Sequence, residues 1–157
     1  MLTNEVTQLL SSSASTKTSL DAIRRGDAGL NERRIQLLNR VPNPNDWAAL
    51  GKNCVSVKDI AYLSAATQDE FALLRGKTKD IIFHGKGAHC NFNEELLELL
   101  RTKKLRLVAH THSDYGDIEP SSDDREFLQY INQTESLIIS YITGIISSFS
   151  ANPFDDI

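Results

Sequence analysis

Apolar and polar positions follow helical and strand spacings in turn from about residue 56 onward. Ser56 and Asp59 form an S-x-x-D capping box, which predicts a helix that runs to Thr67. The apolar runs at 70–75 and 81–84 flank a polar, Gly-containing turn, and this pattern predicts a β-hairpin. The middle of the chain therefore opens with a helix and two paired strands.

The same spacing rules predict the second half of this region. Leucines at 96, 97, 99 and 100 predict an amphipathic helix over 93–103, and an apolar run predicts a strand over 105–112. Ser121 or Ser122 caps a helix that runs to about residue 133, and a hairpin over 136–142 and 145–149 follows. The order of elements predicts an α/β fold with a mixed, mostly antiparallel sheet flanked by helices.

The first fifty residues have a different pattern. Short helices are predicted over 2–10, 19–25 and 30–40, and Pro42 and Pro44 end the third. No chemistry-bearing motif occurs in this segment. We therefore expect a helical extension or linker over 1–50, followed by a domain over 51–157.

Composition narrows the classes of partner. The 157 residues are 40% hydrophobic and 24% charged, as is usual for one globular domain. The net charge of −4, without a long basic run, argues against a nucleic-acid partner. No signal peptide or membrane-spanning stretch is visible, so we expect a cytoplasmic protein that does not bind membranes, with a secreted effector as the alternative.

Two histidines in the predicted strand over 105–112 carry the candidate chemistry. His110 and His112 project to the same side because strand side chains repeat every second residue. Asp123 or Asp124, at the start of the next helix, could add a carboxylate. Two histidines and an acid form a zinc (Zn²⁺) site with one position left for water. A first-turn acid also stabilises a helix without any catalytic duty.

A hydrolytic zinc site also needs a base that takes a proton from water. Glu70 is the candidate because it heads a strand whose other members are mostly apolar. The competing interpretation is that Glu70 simply begins a strand at the rim of the sheet.

Glu70 with its strand, His110-Thr111-His112, and the 121–124 segment together resemble the signature of the JAMM (MPN+, JAB-domain) zinc metalloproteases. The resemblance covers about residues 56–150. It implies a cytidine-deaminase-like fold of the JAB-MPN type, with His110, His112 and a helix-start Asp as zinc ligands. Glu70 would be the general acid/base, and Ser121 would stabilise the oxyanion.

The chain departs from that signature in two places. Ser113 stands where the family has proline, and an intact S-x-x-D pair requires a loop one residue longer than usual. Keeping the pair intact selects Ser121 with Asp124. Asp123 is the alternative ligand.

The resemblance implies a zinc metallopeptidase or isopeptidase that cleaves an amide bond in a protein or peptide, including one that follows a ubiquitin-like tail. The loops 85–92 and 113–119 would then wall the substrate cleft. One alternative is a non-catalytic MPN-type interaction module, and another is a terminal effector or toxin domain of a larger modular protein. A PHP-type phosphoesterase fragment would also begin with H-x-H, but it needs later metal ligands, and no histidine follows His112.

Overall fold

The computed structural model describes residues 30–113 and 118–156. The helices predicted over 2–10 and 19–25 lie outside this range, as does most of the loop after Ser113. The described elements, in chain order, are α1 (Glu32–Arg40), β1 (Trp47–Gly51), α2 (Val57–Thr67), β2 (Phe71–Arg75), β3 (Lys79–His84), α3 (Glu94–Arg101), β4 (Arg106–His112), α4 (Ser122–Tyr130), β5 (Glu135–Ser140), β6 (Ile146–Ser150) and a 3₁₀ turn (Pro153–Asp156). None of these helices is long and apolar enough to cross a membrane.

The strands form one mixed sheet in the order β1-β3-β2-β4-β5-β6. Neighbouring strands are antiparallel except β4 and β5, which are parallel because α4 carries the chain back between them. The prediction of a mostly antiparallel sheet flanked by helices is confirmed, and so are both hairpins. The predicted capping boxes are present as well, with Ser56 and Ser121 as the N-caps of α2 and α4.

Strand β1 was not predicted. It pairs with β3 at one edge of the sheet, and it spans the boundary that the sequence suggested between residues 50 and 51. Its five residues alternate poorly in burial and follow directly on two prolines, so the local pattern gave no strand signal. Helix α1 also contributes to the core, through Leu37 beside Leu30 and Val41.

Helices cover both faces of the sheet. Phe71, Leu73 and Ile82 pack with α1 and α2 on one face. Ala72 and Leu74, the alternate residues of β2, pack with α3 and α4 on the other. Because both faces are covered, the central strands read as continuous apolar runs rather than alternating ones.

A β-bulge interrupts the pairing of β2 with β4. Leu73 lies opposite Ala109 and Leu74 opposite Leu107, so Val108 is an extra residue in β4. Val108 and Ala109 both contact the core under α1 and α2, whereas Leu107 packs on the other face. The bulge therefore shifts the alternation of β4 by one residue before the histidines are reached.

A buried carboxylate joins α1 to α2. Asp59, 1% exposed, accepts hydrogen bonds from Arg33 at 2.7–2.8 Å and from Arg34 Nε at 3.0 Å, and it also completes the capping box with Ser56. The Arg34 guanidinium lies 3.8 Å from the centre of the Tyr62 ring. Burial alone would raise the pKa of Asp59, but the arginines and the Ser56 N–H outweigh it and lower the pKa from 3.8 to about 2.

We predict that Asp59→Asn destabilises the protein at neutral pH by about 2–4 kcal/mol, because the change removes the buried negative charge that Arg33 and Arg34 both contact. The folded-state pKa lies below the unfolded value, so the stabilisation is present above about pH 4 and is lost as the pH falls towards 2. Urea unfolding at pH 7 and at pH 3 measures both effects. The gap between variant and wild type should narrow at the lower pH.

Glu98→Gln is the matched control, since Glu98 is an exposed helical carboxylate. Its free energy of unfolding should change by less than about 0.5 kcal/mol. An equal loss in the two variants would show that Asp59 has no special role.

Candidate metal centre

His110, His112 and Asp124 meet between the end of β4 and the start of α4. The two Nε2 atoms lie 3.1 Å apart. Asp124 Oδ1 is 3.1 Å from His110 Nε2, and its Oδ2 is 3.0 Å from His112 Nε2. The three side chains are mostly buried, with exposed fractions between 9% and 17%. They thus present three potential ligand atoms to one point.

Asp124 also holds the first turn of α4. Its Oδ2 accepts the Ser121 N–H at 2.9 Å, and the Ser121 hydroxyl oxygen accepts the Asp124 N–H at 3.1 Å. The carboxylate is therefore oriented by the helix it caps. Burial acts to raise the pKa of Asp124, but the hydrogen bonds with His110 and His112 prevail and hold that pKa well below its usual range.

The adjacent acid is placed differently. Asp123 is exposed on the rim of the same cleft, and it is not among the described residues whose ligand atoms converge. Of the two aspartates that the sequence left open, the one that contacts both histidines is Asp124.

The donor set suits a tetrahedral cation. Ligand atoms held about 2.0–2.2 Å from such an ion lie roughly 3.3–3.5 Å from one another. The two Nε2 atoms here are 3.1 Å apart, and each lies 3.0–3.1 Å from one of the two Asp124 oxygens. Two imidazole nitrogens and one carboxylate oxygen match the preferences of zinc. His110 Nδ1 is buried and has no hydrogen-bond partner among the described residues, whereas a ligating histidine usually donates its other ring N–H to an acceptor that orients the ring.

A cleft of about 480 Å³ opens over this cluster. Glu70, Ser121 and Ser113 line it together with the histidines and Asp124, and Phe92 and Phe127 form an apolar wall. The segment 88–92 borders the cleft. All the residues singled out from the sequence therefore face one cavity.

The backbone around Glu70 is held by the turn Gly85-Lys86-Gly87, which we call the glycine turn. The Glu70 N–H donates to Gly87 O, and the Glu70 carbonyl accepts the Gly85 N–H, both at 2.7 Å. A Cβ at Gly85 would lie 2.6 Å from Glu70 O and would also collide with the carbonyl oxygen of His89. Only glycine allows the turn to approach the head of β2 this closely.

A second network behind Glu70 was not predicted from the sequence. Asp69 Oδ2 lies 2.7 Å from His84 Nε2, and Asp69 Oδ1 accepts the Gly87 N–H at 2.8 Å. His84 Nδ1 lies 2.7 Å from Val41 O, so it donates to that carbonyl. His84, the last residue of the strand predicted over 81–84, is thus a buried link between the end of β3, the end of α1 and the glycine turn.

Thr111, between the two histidines, points to the opposite face of the sheet. Its hydroxyl lies 2.6 Å from that of Ser64 in α2, and it accepts the Phe71 N–H at 2.9 Å. These buried hydrogen bonds fix the rotation of β4 about its axis, which orients His110 and His112 towards the cleft.

Cys90 also lines the cleft. Burial raises the pKa of its thiol well above the usual range, and the nearby charges of Glu70 and Asp124 raise it further. The group is therefore a neutral thiol at pH 7 rather than a thiolate nucleophile.

The chain was also compared with known proteins. No family model, no curated protein and no solved structure matches it.

We predict that Gly85→Ala lowers the free energy of unfolding by roughly 2 kcal/mol or more, because the added methyl group must displace two backbone carbonyls. Gly87→Asn is the control. Gly87 has φ +56° but open space around its Cα, and asparagine tolerates that conformation, so the cost should stay below about 1 kcal/mol. Urea unfolding of both variants checks the difference. Equal losses would contradict the close packing against Glu70.

Proposed function

We propose that this protein is a zinc-dependent hydrolase that cleaves an amide bond in a protein or peptide. One observation carries the proposal: the ligand atoms of His110, His112 and Asp124 all lie within 4.8 Å of one another, in a cleft that Glu70 also lines. Metallopeptidase chemistry needs three ligands, an open coordination position and a carboxylate base within reach.

His110, His112 and Asp124 would hold the ion. Zinc bound there supplies Lewis acidity, which polarises a carbonyl and makes water a nucleophile near neutral pH. Glu70 accepts the proton of the attacking water and returns it to the leaving amine. The glycine turn keeps the Glu70 backbone fixed at the head of β2 while the proton moves.

Ser121 is suited to stabilise the negative charge that develops on the carbonyl oxygen. Its hydroxyl oxygen already accepts the Asp124 N–H, so the hydroxyl hydrogen remains for donation into the cleft. Phe92 and Phe127 contact each other, with ring centroids 5.4 Å apart, and would receive an apolar side chain of the substrate.

We further propose that the domain has a fold of the JAB-MPN type, as the sequence resemblance implies. The order of elements from α2 to β6 and the capped start of α4 beside the histidines support this assignment. Isopeptidase activity after a ubiquitin-like tail is the narrower form of the hypothesis. A non-catalytic MPN-type module is the competing function, and turnover separates the two.

Elemental analysis tests the metal first. We expect about one zinc per chain in protein prepared with zinc, and less than about a tenth of that in His110→Ala and Asp124→Asn, because each removes one of three ligands. Asp123→Asn is the matched control and should keep its zinc, since Asp123 lies on the rim. Loss of zinc from Asp123→Asn with retention in Asp124→Asn would reverse the ligand assignment. Wild-type protein without zinc would refute the metal centre.

Turnover tests the role of Glu70. Wild type and Glu70→Gln would each be incubated with a peptide library and with ubiquitin-like fusions, and new amino termini would be counted by mass spectrometry. We expect Glu70→Gln to keep zinc and lose at least roughly 100-fold in rate, the usual contribution of a general base.

Two outcomes would contradict this mechanism. Cleavage that survives in Glu70→Gln would exclude Glu70 as the base. Zinc binding without cleavage by wild type would favour the non-catalytic module.

A further inference from the structure

A cationic groove lies at the end of the sheet opposite the candidate metal centre. It is formed by the turn between β2 and β3, by the starts of β3 and β4, and by the end of α3. Seven of the chain's 17 lysines and arginines line it, and no aspartate or glutamate of the described ranges does. They lie at positions 52, 75, 77, 79, 103, 104 and 106, so they come from three separate stretches of sequence. We call this surface the cationic groove.

Two of these cations already have partners. Arg75 Nε donates to the buried Asp80 at 2.8 Å, and Lys103 Nζ donates to the carbonyls of Ile131 and Asn132 at the end of α4. The other five are exposed, and none makes an ion pair within the ranges 30–113 and 118–156: Lys52, Lys77, Lys79, Lys104 and Arg106.

This arrangement is unfavourable for a protein with no anionic partner. Like charges around one concavity repel each other, and an acidic chain with 21 aspartates and glutamates has ample means to neutralise them. Among the described residues no carboxylate lines the groove, and the buried Asp80 pairs with only one of the seven cations. A bound anion would offset the repulsion between these positive charges.

The shape of the groove favours a compact ligand. Its volume is about 650 Å³, within the range of small-molecule sites. Leu99 and Leu105 are its apolar members, Thr78 adds a hydroxyl, and none of the aromatic side chains that the structure describes lines it. Single-stranded nucleic acids bind through aromatic stacking platforms, and those are absent from this groove.

We propose that the cationic groove binds a compact polyphosphate, a ligand that carries several phosphate groups within a few ångströms. Lysine ammonium groups on flexible stems contact phosphate oxygens as point charges, and Arg106 adds a planar fork. The phosphates can belong to a free polyphosphate or to the headgroup of a phosphorylated inositol lipid. This proposal is independent of the proposed hydrolase activity.

Isothermal titration of the full chain with inorganic tripolyphosphate, at about 0.1 M salt, tests the proposal. We expect saturable binding that weakens as salt is added. The variant with both Lys77→Glu and Lys104→Glu should bind roughly tenfold more weakly or worse, because two charge-assisted contacts become repulsive. Lys86→Glu is the control, because Lys86 is exposed at the other end of the sheet. The affinity of this variant for tripolyphosphate should stay within roughly twofold of that of the wild type.

Competition experiments identify the source of the phosphates. Vesicles with phosphatidylinositol bisphosphate, bound in competition with tripolyphosphate, would assign the site to a lipid headgroup; tripolyphosphate binding alone would assign it to a free ligand. The unfolding midpoints of the variants establish that they fold, and the single variants Lys77→Gln and Lys104→Gln replace the double variant if it does not.

Three outcomes would overturn the proposal. The first is absence of saturable tripolyphosphate binding, or equal binding by the double charge reversal. The second is tighter binding, at equal phosphate concentration, of a DNA oligonucleotide that displaces tripolyphosphate, which would indicate a nucleic-acid interface. The third is equally tight binding of polyglutamate, which would indicate an acidic protein surface.

Discussion

The candidate site depends on one extra residue in β4. In a regular strand Leu107 and His110 would lie on opposite faces, because side chains alternate. The bulge at Val108 removes one step of that alternation, so Leu107 packs under α3 and α4 while His110 and His112 reach the same side. Without it, a register that kept Leu107 in place would bury the histidines against α2. The position of both histidines at the metal centre follows from this offset.

The two capping boxes show how one local motif can serve two purposes. Ser56 with Asp59 and Ser121 with Asp124 make the same reciprocal hydrogen bonds at the starts of α2 and α4. Asp59 then meets two arginines of α1, which makes it a structural link, whereas Asp124 meets two histidines of β4. In both boxes, the capping hydrogen bonds already orient the carboxylate. Little further side-chain freedom is therefore lost when the carboxylate contacts its long-range partner.

Features encoded within a few neighbouring residues could be predicted from the sequence. The hairpins, the capped helices and the convergence of Glu70, His110, His112 and Asp124 on one cleft followed from spacing, from turn residues and from the family resemblance. Strand β1, the bulge and the link from Asp69 to His84 could not, because each depends on a partner from a distant part of the chain. The seven cations of the groove are likewise dispersed, and the sequence, which has no basic run, gave no sign of them.

The charge of the molecule is distributed unevenly along its strands. Strand β4 begins beside the cationic groove and ends at His112, about 20 Å away at the usual rise per residue. Seven of the 17 lysines and arginines line this groove, so positive charge is concentrated at one end of β4 in a chain that is acidic as a whole. An anionic surface would therefore orient the protein before any contact forms. The groove would face that surface, and the histidine end would point away from it. The net charge of −4 determines how strongly an anionic surface repels the whole molecule. It does not determine which end of the molecule faces that surface.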